Sequence, residues 1–402
     1  RDLPGPGRYE CTFVRERLAD LVEKELGLDP ALVRRRNFIQ PEEFPYEVGG
    51  DALGQHTVYD VGDYPGAFEA ALVAFDYKAA RAQQEAARKE GRYVGIGLGC
   101  LVEKAGLGPW EYARVEVDGS GHVAVYSGAA SVGQGLETTL AQICGEELRI
   151  GVEAVTVIHG DSALVPFGIG GFASRGAMVA GNAVFEASRK LKTKMLAVAA
   201  GLLEAHPDDL VLDNGRVSVR GLPERSVTFK DLARAAAPGQ RLPPGMEPGL
   251  SATHFFEAPK MSYPYGTHAA LVEVDPETGR VSILKYAIAY DIGRAINPMI
   301  VEGQLVGGLA QGIGGALYEE LVYDAEGQPL ATTFMDYLLP GAGEMPQVTI
   351  AKILEETPTP LNPLGVKGAG EGGSSGAGAA IANAVADALS PLGVSITALP
   401  LS

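Results

Sequence analysis

The sequence has few of the residues that build disulfide frameworks and protein-ligated metal centres. Its 3 cysteines, Cys11, Cys100 and Cys144, lie far apart and include no C-x-x-C pair. That number and spacing fit neither a disulfide framework nor a cysteine-ligated iron–sulfur cluster. The 6 histidines are too widely spaced for the i, i+2 to i+4 pairs that bind metals. We therefore predict structural roles for the histidines and no protein-ligated metal.

Basic residues and long hydrophobic runs are also scarce. The chain has 33 lysines and arginines against 50 aspartates and glutamates, a formal charge of −17, which argues against a nucleic-acid partner. One basic run, residues 34–36, follows a helical pattern and is interpreted as a solvated helix end. Neither a signal peptide nor a membrane span is recognised, so we expect no membrane partner and a cytoplasmic location.

Glycine, by contrast, is abundant. The 402 residues include 53 glycines, nearly twice the usual ~7%. They cluster in short runs, a pattern typical of backbone loops pressed against a ligand. The chain also begins with arginine, inside a glycine- and proline-rich turn, which indicates a piece of a longer protein.

Hydrophobic periodicity predicts alternating strands and helices. The predicted helices are residues 12–28, 66–89, 137–148, 180–203 and 301–321, and the predicted strands are 93–102, 112–117, 123–127, 155–159, 267–274 and 280–290. This order indicates an α+β fold with α/β-like lobes. The proline-rich segment 238–248 is the best candidate for a linker between two lobes.

The sharpest local feature is the segment 365–373, in which five glycines surround the single carboxylate of Glu371. Without side-chain bulk, such a backbone lies against a planar cofactor and directs N–H groups at anionic oxygens, and Ser374 or Ser375 caps the following helix. Glu371 is then an isolated acid in a tight pocket, where burial raises its pKa toward that of a general base. The residues alone favour the alternative, a flexible glycine loop with a solvated glutamate.

Two further loops carry candidate binding residues. Segment 133–135, a Gly-Gln-Gly between a predicted strand and helix, offers a bare backbone and an amide to ring nitrogens and oxygens or to a phosphate. Segment 173–175 places a serine hydroxyl and an arginine guanidinium before a helix, an arrangement suited to phosphate. Taken singly, each loop is better explained as a plain turn.

Two motif matches are misleading. Residues 95–99 read G-x-G-x-G but lie in a predicted strand, so they are interpreted as a packed glycine strand and not as a dinucleotide loop. Residues 372–376 match G-x-S-x-G, but a glycine-rich segment and not a hydrophobic strand leads into them. A serine hydrolase is therefore disfavoured.

Taken in order, nine segments resemble the molybdenum hydroxylase family, which includes xanthine oxidase, aldehyde oxidase and aerobic carbon monoxide dehydrogenase. They are residues 5–10 (GPGRYE), 35–39 (RRNFI), 59–64 (YDVGDY), 133–135 (GQG), 160–161 (GD), 173–175 (ASR), 265–268 (YGTH), 293–298 (GRAINP) and 368–373 (GAGEGG). The resemblance covers almost the whole chain, and the ordered set is far more specific than any one motif. It favours a functional Glu371 over the flexible loop.

The resemblance implies the molybdopterin-binding domain architecture of aldehyde oxidase and xanthine dehydrogenase, in the C-terminal portion of the catalytic large subunit. Residues 1–45 would end a first molybdopterin-binding region, and residues 46–402 would form a second one with two lobes. Family members carry molybdenum in a molybdopterin dinucleotide, usually the cytosine form in bacteria. They hydroxylate a carbon of an aldehyde, purine or N-heterocycle with oxygen from water.

The resemblance also implies site residues and partners. Glu371 corresponds to the general base, and no protein atom is expected to ligate the molybdenum, which the dithiolene of the cofactor holds. The residues implied in cofactor binding are Gly133, Gln134, Gly135, Ala173, Ser174, Arg175 and Gly370. Expected partners are an iron–sulfur small subunit, an FAD-binding medium subunit and a small-molecule substrate.

The chain departs from the family pattern at several places. Leu3-Pro4 stands where the family has an aromatic residue and arginine, Gly171 stands where it has threonine, and the cysteine-containing loop of carbon monoxide dehydrogenases is missing, which disfavours carbon monoxide. The upstream molybdopterin region is also missing. The chain is therefore interpreted as half of a split subunit, completed by a separate chain, or as a truncated product.

Two functions from different classes remain open. The first is a catalytic molybdenum hydroxylase subunit, and the second is a non-catalytic scaffold that keeps the fold for subunit assembly. A scaffold has no reason to keep a lone buried acid, so Glu371 favours the first.

Overall fold

The computed structural model describes residues 5–52, 55–347 and 349–401, so the Leu3-Pro4 departure lies outside the described residues. The chain forms two compact units, and both are discontinuous in sequence. Unit 1 comprises Arg1–Ala105, Ser262–Pro360 and Lys367–Ser402, and unit 2 comprises Gly106–Met261 and Leu361–Val366.

The helices and strands follow one another in three stretches. The first stretch, in unit 1, contains α1 (Arg8–Leu26), α2 (Pro30–Arg35), β1 (Tyr46–Ala52), β2 (Gln55–Tyr59), α3 (Tyr64–Phe75), α4 (Tyr77–Lys89) and β3 (Tyr93–Val102). Unit 2 contains β4 (Glu111–Val117), β5 (Val123–Ser127), α5 (Leu136–Leu148), β6 (Val155–Ile158), a π-helical turn (Gly176–Gly181), α6 (Asn182–Leu203), β7 (Leu210–Asp213), β8 (Arg216–Val219), β9 (Leu222–Thr228), α7 (Phe229–Ala235) and β10 (Leu250–Phe256). The last stretch, again in unit 1, contains β11 (Tyr265–Val274), β12 (Val281–Asp291), α8 (Pro298–Leu317), β13 (Thr349–Leu354), α9 (Gly372–Ser375) and α10 (Ala377–Ala388).

The main sheets of the two units share a core of three strands, and the fourth strand comes before that core in unit 1 and after it in unit 2. In unit 1 the order is β13-β12-β11-β3, and in unit 2 it is β10-β4-β5-β6. Each has an antiparallel hairpin, then a helix, then a strand parallel to the second strand of the hairpin, and then another helix. The three candidate segments 133–135, 173–175 and 365–373 lie in the connections that precede α5, α6 and α9. This mixture of helices and largely antiparallel sheets confirms the α+β prediction.

The packing of α10 on β3 explains the glycine strand. A Cβ atom on Gly95 would lie 2.0 Å from the carbonyl oxygen of Ala384, and one on Gly97 would lie 2.0 Å from that of Ala380. Only glycine permits such an approach of helix and strand. The structure therefore confirms that residues 95–99 are a packed strand and not a nucleotide-binding loop.

Helix α1 is present near its predicted bounds. Its apolar side is exposed, however, and its polar side packs against the protein, which is the reverse of the usual arrangement. The exposed side chains are those of the apolar stripe, which are Val14, Leu18, Leu21, Val22 and Leu26. Its polar side is buried instead, because Arg17 donates to the Asn383 side chain of α10 and Glu16 pairs with Arg34. The expectation of a solvated basic run at 34–36 is wrong for Arg34, whose guanidinium is buried between Glu16 and Asp20.

Two predicted boundaries are also corrected. The helix predicted at 66–89 is two helices, because Asp76 adopts a left-handed backbone (φ 51°) that ends α3, and its carboxylate caps α4 at the Ala79 N–H. The segment 238–248 does not separate the units. It joins α7 to β10, which pairs with β4 in the sheet of unit 2. In the described part of the chain, we find no helix that is both long and apolar enough to span a membrane.

Candidate active site

Glu371 lies in unit 1, immediately before the short helix α9. Its side chain is 11% exposed, and its Oε1 accepts a hydrogen bond of 2.9 Å from the Gly5 N–H. The glycines after it are required by packing. A Cβ on Gly372 would lie 2.4 Å from the Tyr290 ring, and one on Gly373 would lie 2.1 Å from the carbonyl oxygen of Leu305. The flexible-loop alternative is therefore wrong, and the loop holds Glu371 in place.

The two serines after the glycines act differently from the sequence prediction. Neither caps a helix N-terminus. Ser374 Oγ lies 3.1 Å and Ser375 Oγ 2.9 Å from the carbonyl oxygen of Glu371. Both hydroxyls therefore fix the backbone at the carboxylate-bearing residue.

A second carboxylate, Glu103, lies beside Glu371. Glu103 follows the last residue of β3 and is 1% exposed. Arg8 joins the two acids, with Nε 2.5 Å from Glu103 Oε1 and Nη2 3.3 Å from Glu371 Oε1. Ser375 Oγ lies 3.2 Å from Glu103 Oε2. The expectation that Glu371 is an isolated acid is therefore wrong.

The Glu103 carboxyl titrates in an unusual range. Burial raises the pKa of Glu103 to about 7, while the Arg8 guanidinium acts against that rise and the charge of Glu371 adds to it. Sequence reasoning missed this residue. The sequence did contain one signal for a buried acid at this position: Glu103 directly follows the apolar strand 93–102.

His268 supports the loop that carries Glu371 through hydrogen bonds. Its Nε2 lies 2.9 Å from the carbonyl oxygen of Gly372, and its Nδ1 lies 2.9 Å from the Tyr286 hydroxyl. Burial lowers the pKa of His268 to about 4, so the imidazole is neutral at neutral pH. A neutral ring donates from Nε2 to Gly372 and accepts at Nδ1 from Tyr286. This confirms a structural role for His268.

The neutral His268 predicts a pH dependence of stability. Its folded pKa lies below the unfolded value of about 6.5, so the unfolded chain binds the proton more tightly. The stabilisation is complete above about pH 6.5 and is lost as the pH falls toward 4, by on the order of 3 kcal/mol. Urea unfolding of wild type and His268→Gln between these limits measures it. Wild type should lose more stability than the variant, and equal losses would contradict the assignment.

A buried ion pair anchors the start of the same loop. Lys367 Nζ lies 3.1 Å from Asp291 Oδ1 and 2.8 Å from Thr357 Oγ1. The Lys367 N–H donates to the carbonyl oxygen of Ile292, just after β12. The loop that carries Gly370 and Glu371 is thus tied to the sheet at one end and to the Gly5 N–H at the other.

The remaining predicted cofactor residues lie in unit 2. The loop 131–135 joins β5 to α5, and Gly133 (φ 99°) and Gly135 (φ 73°) have left-handed backbones that favour glycine. A Cβ on Gly133 would meet nothing within 4 Å, so the loop surface is open. Gln134 Oε1 accepts from the Val132 N–H at 2.6 Å, which shapes the loop.

The structure brings the segment around Ser174 next to this loop. A Cβ on Gly171 would lie 2.7 Å from the Ala130 carbonyl oxygen and 3.9 Å from Gln134 Nε2. Ala173 (φ 47°) and Ser174 (φ 50°) both adopt the left-handed backbone. That conformation costs free energy for non-glycine residues and clusters at ligand-binding sites.

Arg175 has a different role from the predicted phosphate contact. Its side chain is fully buried, and it forms an ion pair with Glu111. The guanidinium also donates to the carbonyl oxygens of Leu107, Gly170 and Trp110. We correct the prediction accordingly: the guanidinium braces the loop that ends in Ala173 and Ser174, and is not directed at a cofactor.

The donor set fits an organic, anionic cofactor better than a bare metal ion. Glycine backbone without side-chain bulk, an amide and a serine favour a ligand rich in oxygen and nitrogen acceptors. Within residues 5–52, 55–347 and 349–401, no group of three or more His, Cys, Asp or Glu side chains is placed to hold a metal ion.

Comparison with known proteins identifies the family. The molybdopterin cofactor-binding domain family matches residues 70–346. The chain is 43% identical to the 6-hydroxypseudooxynicotine dehydrogenase complex subunit gamma of Paenarthrobacter nicotinovorans, over 99% of this chain and 50% of that protein. It is 38% identical to the nicotine 6-hydroxylase large subunit of the same organism, over 98% of this chain and 49% of that protein.

A solved structure agrees. Quinoline 2-oxidoreductase from Pseudomonas putida 86 superposes with a TM-score of 0.88 at 36% identity, and the match covers 97% of this chain and 50% of that one. The chain belongs to the molybdenum hydroxylase large-subunit family. It spans about half the length of the curated relatives it matches.

Proposed function

We propose that the chain is the part of a molybdenum hydroxylase that carries the general base, and that the enzyme hydroxylates a ring carbon of an N-heterocycle with oxygen from water. One observation carries the proposal: Glu371 is held on a tightly packed loop, with its Oε1 2.9 Å from the Gly5 N–H and 3.3 Å from Arg8 Nη2. Such a carboxylate is preorganised to accept a proton.

The names of the relatives support the substrate class. Two are named for nicotine and for quinoline, both N-heterocycles, and one for 6-hydroxypseudooxynicotine. Among aldehydes, purines and N-heterocycles, we therefore favour the last.

The cofactor would be molybdenum in molybdopterin, in its cytosine dinucleotide form. When bound, it supplies the redox centre that takes two electrons from the substrate. Backbone N–H groups and polar side chains would hold it, contributed by Gly133, Gln134, Gly135, Ala173, Ser174 and Gly370. The metal needs no protein ligand.

The residues of this chain would handle the proton. Glu371 accepts it at its carboxylate, while the Gly5 N–H and Arg8 fix the position of Oε1. The close packing of Gly372 and Gly373 against Tyr290 and Leu305 holds the loop in place. This is general-base catalysis by a positioned group.

Partner subunits complete the proposal. The chain would work in the cytoplasm with an iron–sulfur small subunit and an FAD-binding medium subunit, which carry the electrons away. A further chain or segment would supply the upstream molybdopterin region. The names of the relatives, a complex subunit and a large subunit, support such an assembly.

Gln134→Ala tests cofactor binding. Loss of the amide removes hydrogen bonds worth about 1–1.5 kcal/mol, so the fraction of chains that retain molybdenum should fall by roughly 5- to 10-fold in limiting cofactor. The matched control is Val132→Ala in the same loop, where the side chain is 79% exposed. Metal analysis of both purified complexes gives the answer, and equal molybdenum contents would reject a cofactor role for Gln134.

A further inference from the structure

Arg8 lies between the carboxylates of Glu103 and Glu371 and is close enough to interact with both. Its Nε is 2.5 Å from Glu103 Oε1, and its Nη2 is 3.3 Å from Glu371 Oε1. Glu103 has no exposed side-chain surface, and the Lys104 N–H donates to its Oε1 at 2.7 Å. One guanidinium therefore neutralises one of two acids.

The local geometry keeps the three groups together. A Cβ on Gly5 would lie 2.4 Å from Ser375 Oγ and 3.7 Å from Glu103 Oε2, so the Gly5 backbone closes directly over the pair. Ser375 Oγ lies near both Glu103 Oε2 and the Glu371 carbonyl oxygen. A change in the charge of one carboxylate is thus felt by the other across a short, desolvated path.

The net charge of the buried site limits the protonation states that the Glu103 and Glu371 carboxyls can adopt together. With both acids ionised, the buried site carries a net negative charge, which desolvation disfavours. With one of the two acids protonated, the net charge of the site is zero.

We propose that Glu103 is a positioning residue for Glu371: the two carboxylates share Arg8, and Glu103 holds the guanidinium against the Glu371 carboxylate. The inference rests on the proposed role of Glu371 as general base. Glu103 keeps Arg8 in place beside Oε1 of Glu371. The pKa of Glu103, which burial and the neighbouring Glu371 charge raise to about 7, agrees with the closeness of the two acids.

Infrared titration of the purified complex tests the coupling without turnover. Wild type should show a protonated-carboxyl band that disappears as the pH rises through neutrality, and Glu103→Gln should abolish it. In Glu371→Gln the midpoint of the band should fall by about one pH unit, because the neighbouring charge is gone. If Glu103→Gln does not fold, the Glu371→Gln midpoint decides the question alone.

The matched control is Glu16→Gln, a buried glutamate paired with Arg34. It should leave the midpoint unchanged even if it lowers stability. An unchanged midpoint in Glu371→Gln, or a band that persists in Glu103→Gln, would overturn the proposal.

The pH profile of kcat/KM connects the pair to the reaction. In Glu103→Gln, Arg8 interacts with Glu371 alone and stabilises its ionised form. The acidic limb of the kcat/KM profile should therefore move to lower pH by about one unit. A limb that does not move overturns the positioning role. Failure of the proposed function has a different signature, in which Glu371→Gln turns over normally while the infrared coupling is still measured.

Discussion

Glu371→Gln should lower turnover by roughly 100- to 10,000-fold, the usual contribution of a positioned general base. The amide keeps the size of the side chain but cannot accept the proton. Molybdenum content and thermal stability should stay at wild-type values, because the surrounding glycine packing is unchanged. Dye-reduction kinetics on the purified complex measure the effect.

The control for this change is Glu302→Gln on the exposed side of α8. It removes the same charge away from the loop and should leave turnover unaltered. A Glu371→Gln enzyme with the wild-type rate would show that another group accepts the proton.

The second large effect is expected at Arg175. Its side chain and that of Glu111 are both fully buried, so Arg175→Met leaves an uncompensated charge and three carbonyl oxygens without their donor. Breaking such a pair typically costs ~3–5 kcal/mol of the free energy of unfolding. Urea unfolding should show this loss, with a loss of bound molybdenum as the loop of Ala173 and Ser174 relaxes.

A double variant separates the causes. Arg175→Met with Glu111→Gln removes the orphaned charge and should recover part of the loss. Arg189→Met, which breaks an exposed pair with Glu186, should change stability by less than about 1 kcal/mol. If the double variant is no more stable than Arg175→Met, the buried charge is not the cause.

Local patterns predicted the local structure well. The strands at 93–102 and 123–127 match to the residue, because the apolar run of the first, the alternation of the second and the turn after 117 are encoded within a few positions. The glycines at 95 and 97 were identified as packing residues for the same reason. The predictions missed the strands β1, β2, β7–β10 and β13, which carry little periodic signal.

The site itself depends on contacts that are distant in sequence. Gly5 and Glu371 meet across nearly the whole chain, and Glu103 joins them only because β3 ends where the loop returns. No spacing rule links these positions. The motif order found Glu371, but only the fold revealed that a second acid shares its arginine.

The same limit explains the errors on α1 and Arg175. The amphipathic pattern of a helix does not by itself show which side packs against the rest of the protein. Here α10 offers Asn383 to the polar side of α1. Likewise, an arginine before a helix is typical of anion sites, yet Glu111 and three carbonyl oxygens hold this one.

The most direct measurement is the amount of molybdenum and of released cytidine nucleotide in the intact complex purified from its native host. The proposed function predicts both in equal amounts, each matched to the amount of this chain. An intact complex with neither would contradict it and leave the scaffold as the function of this fold.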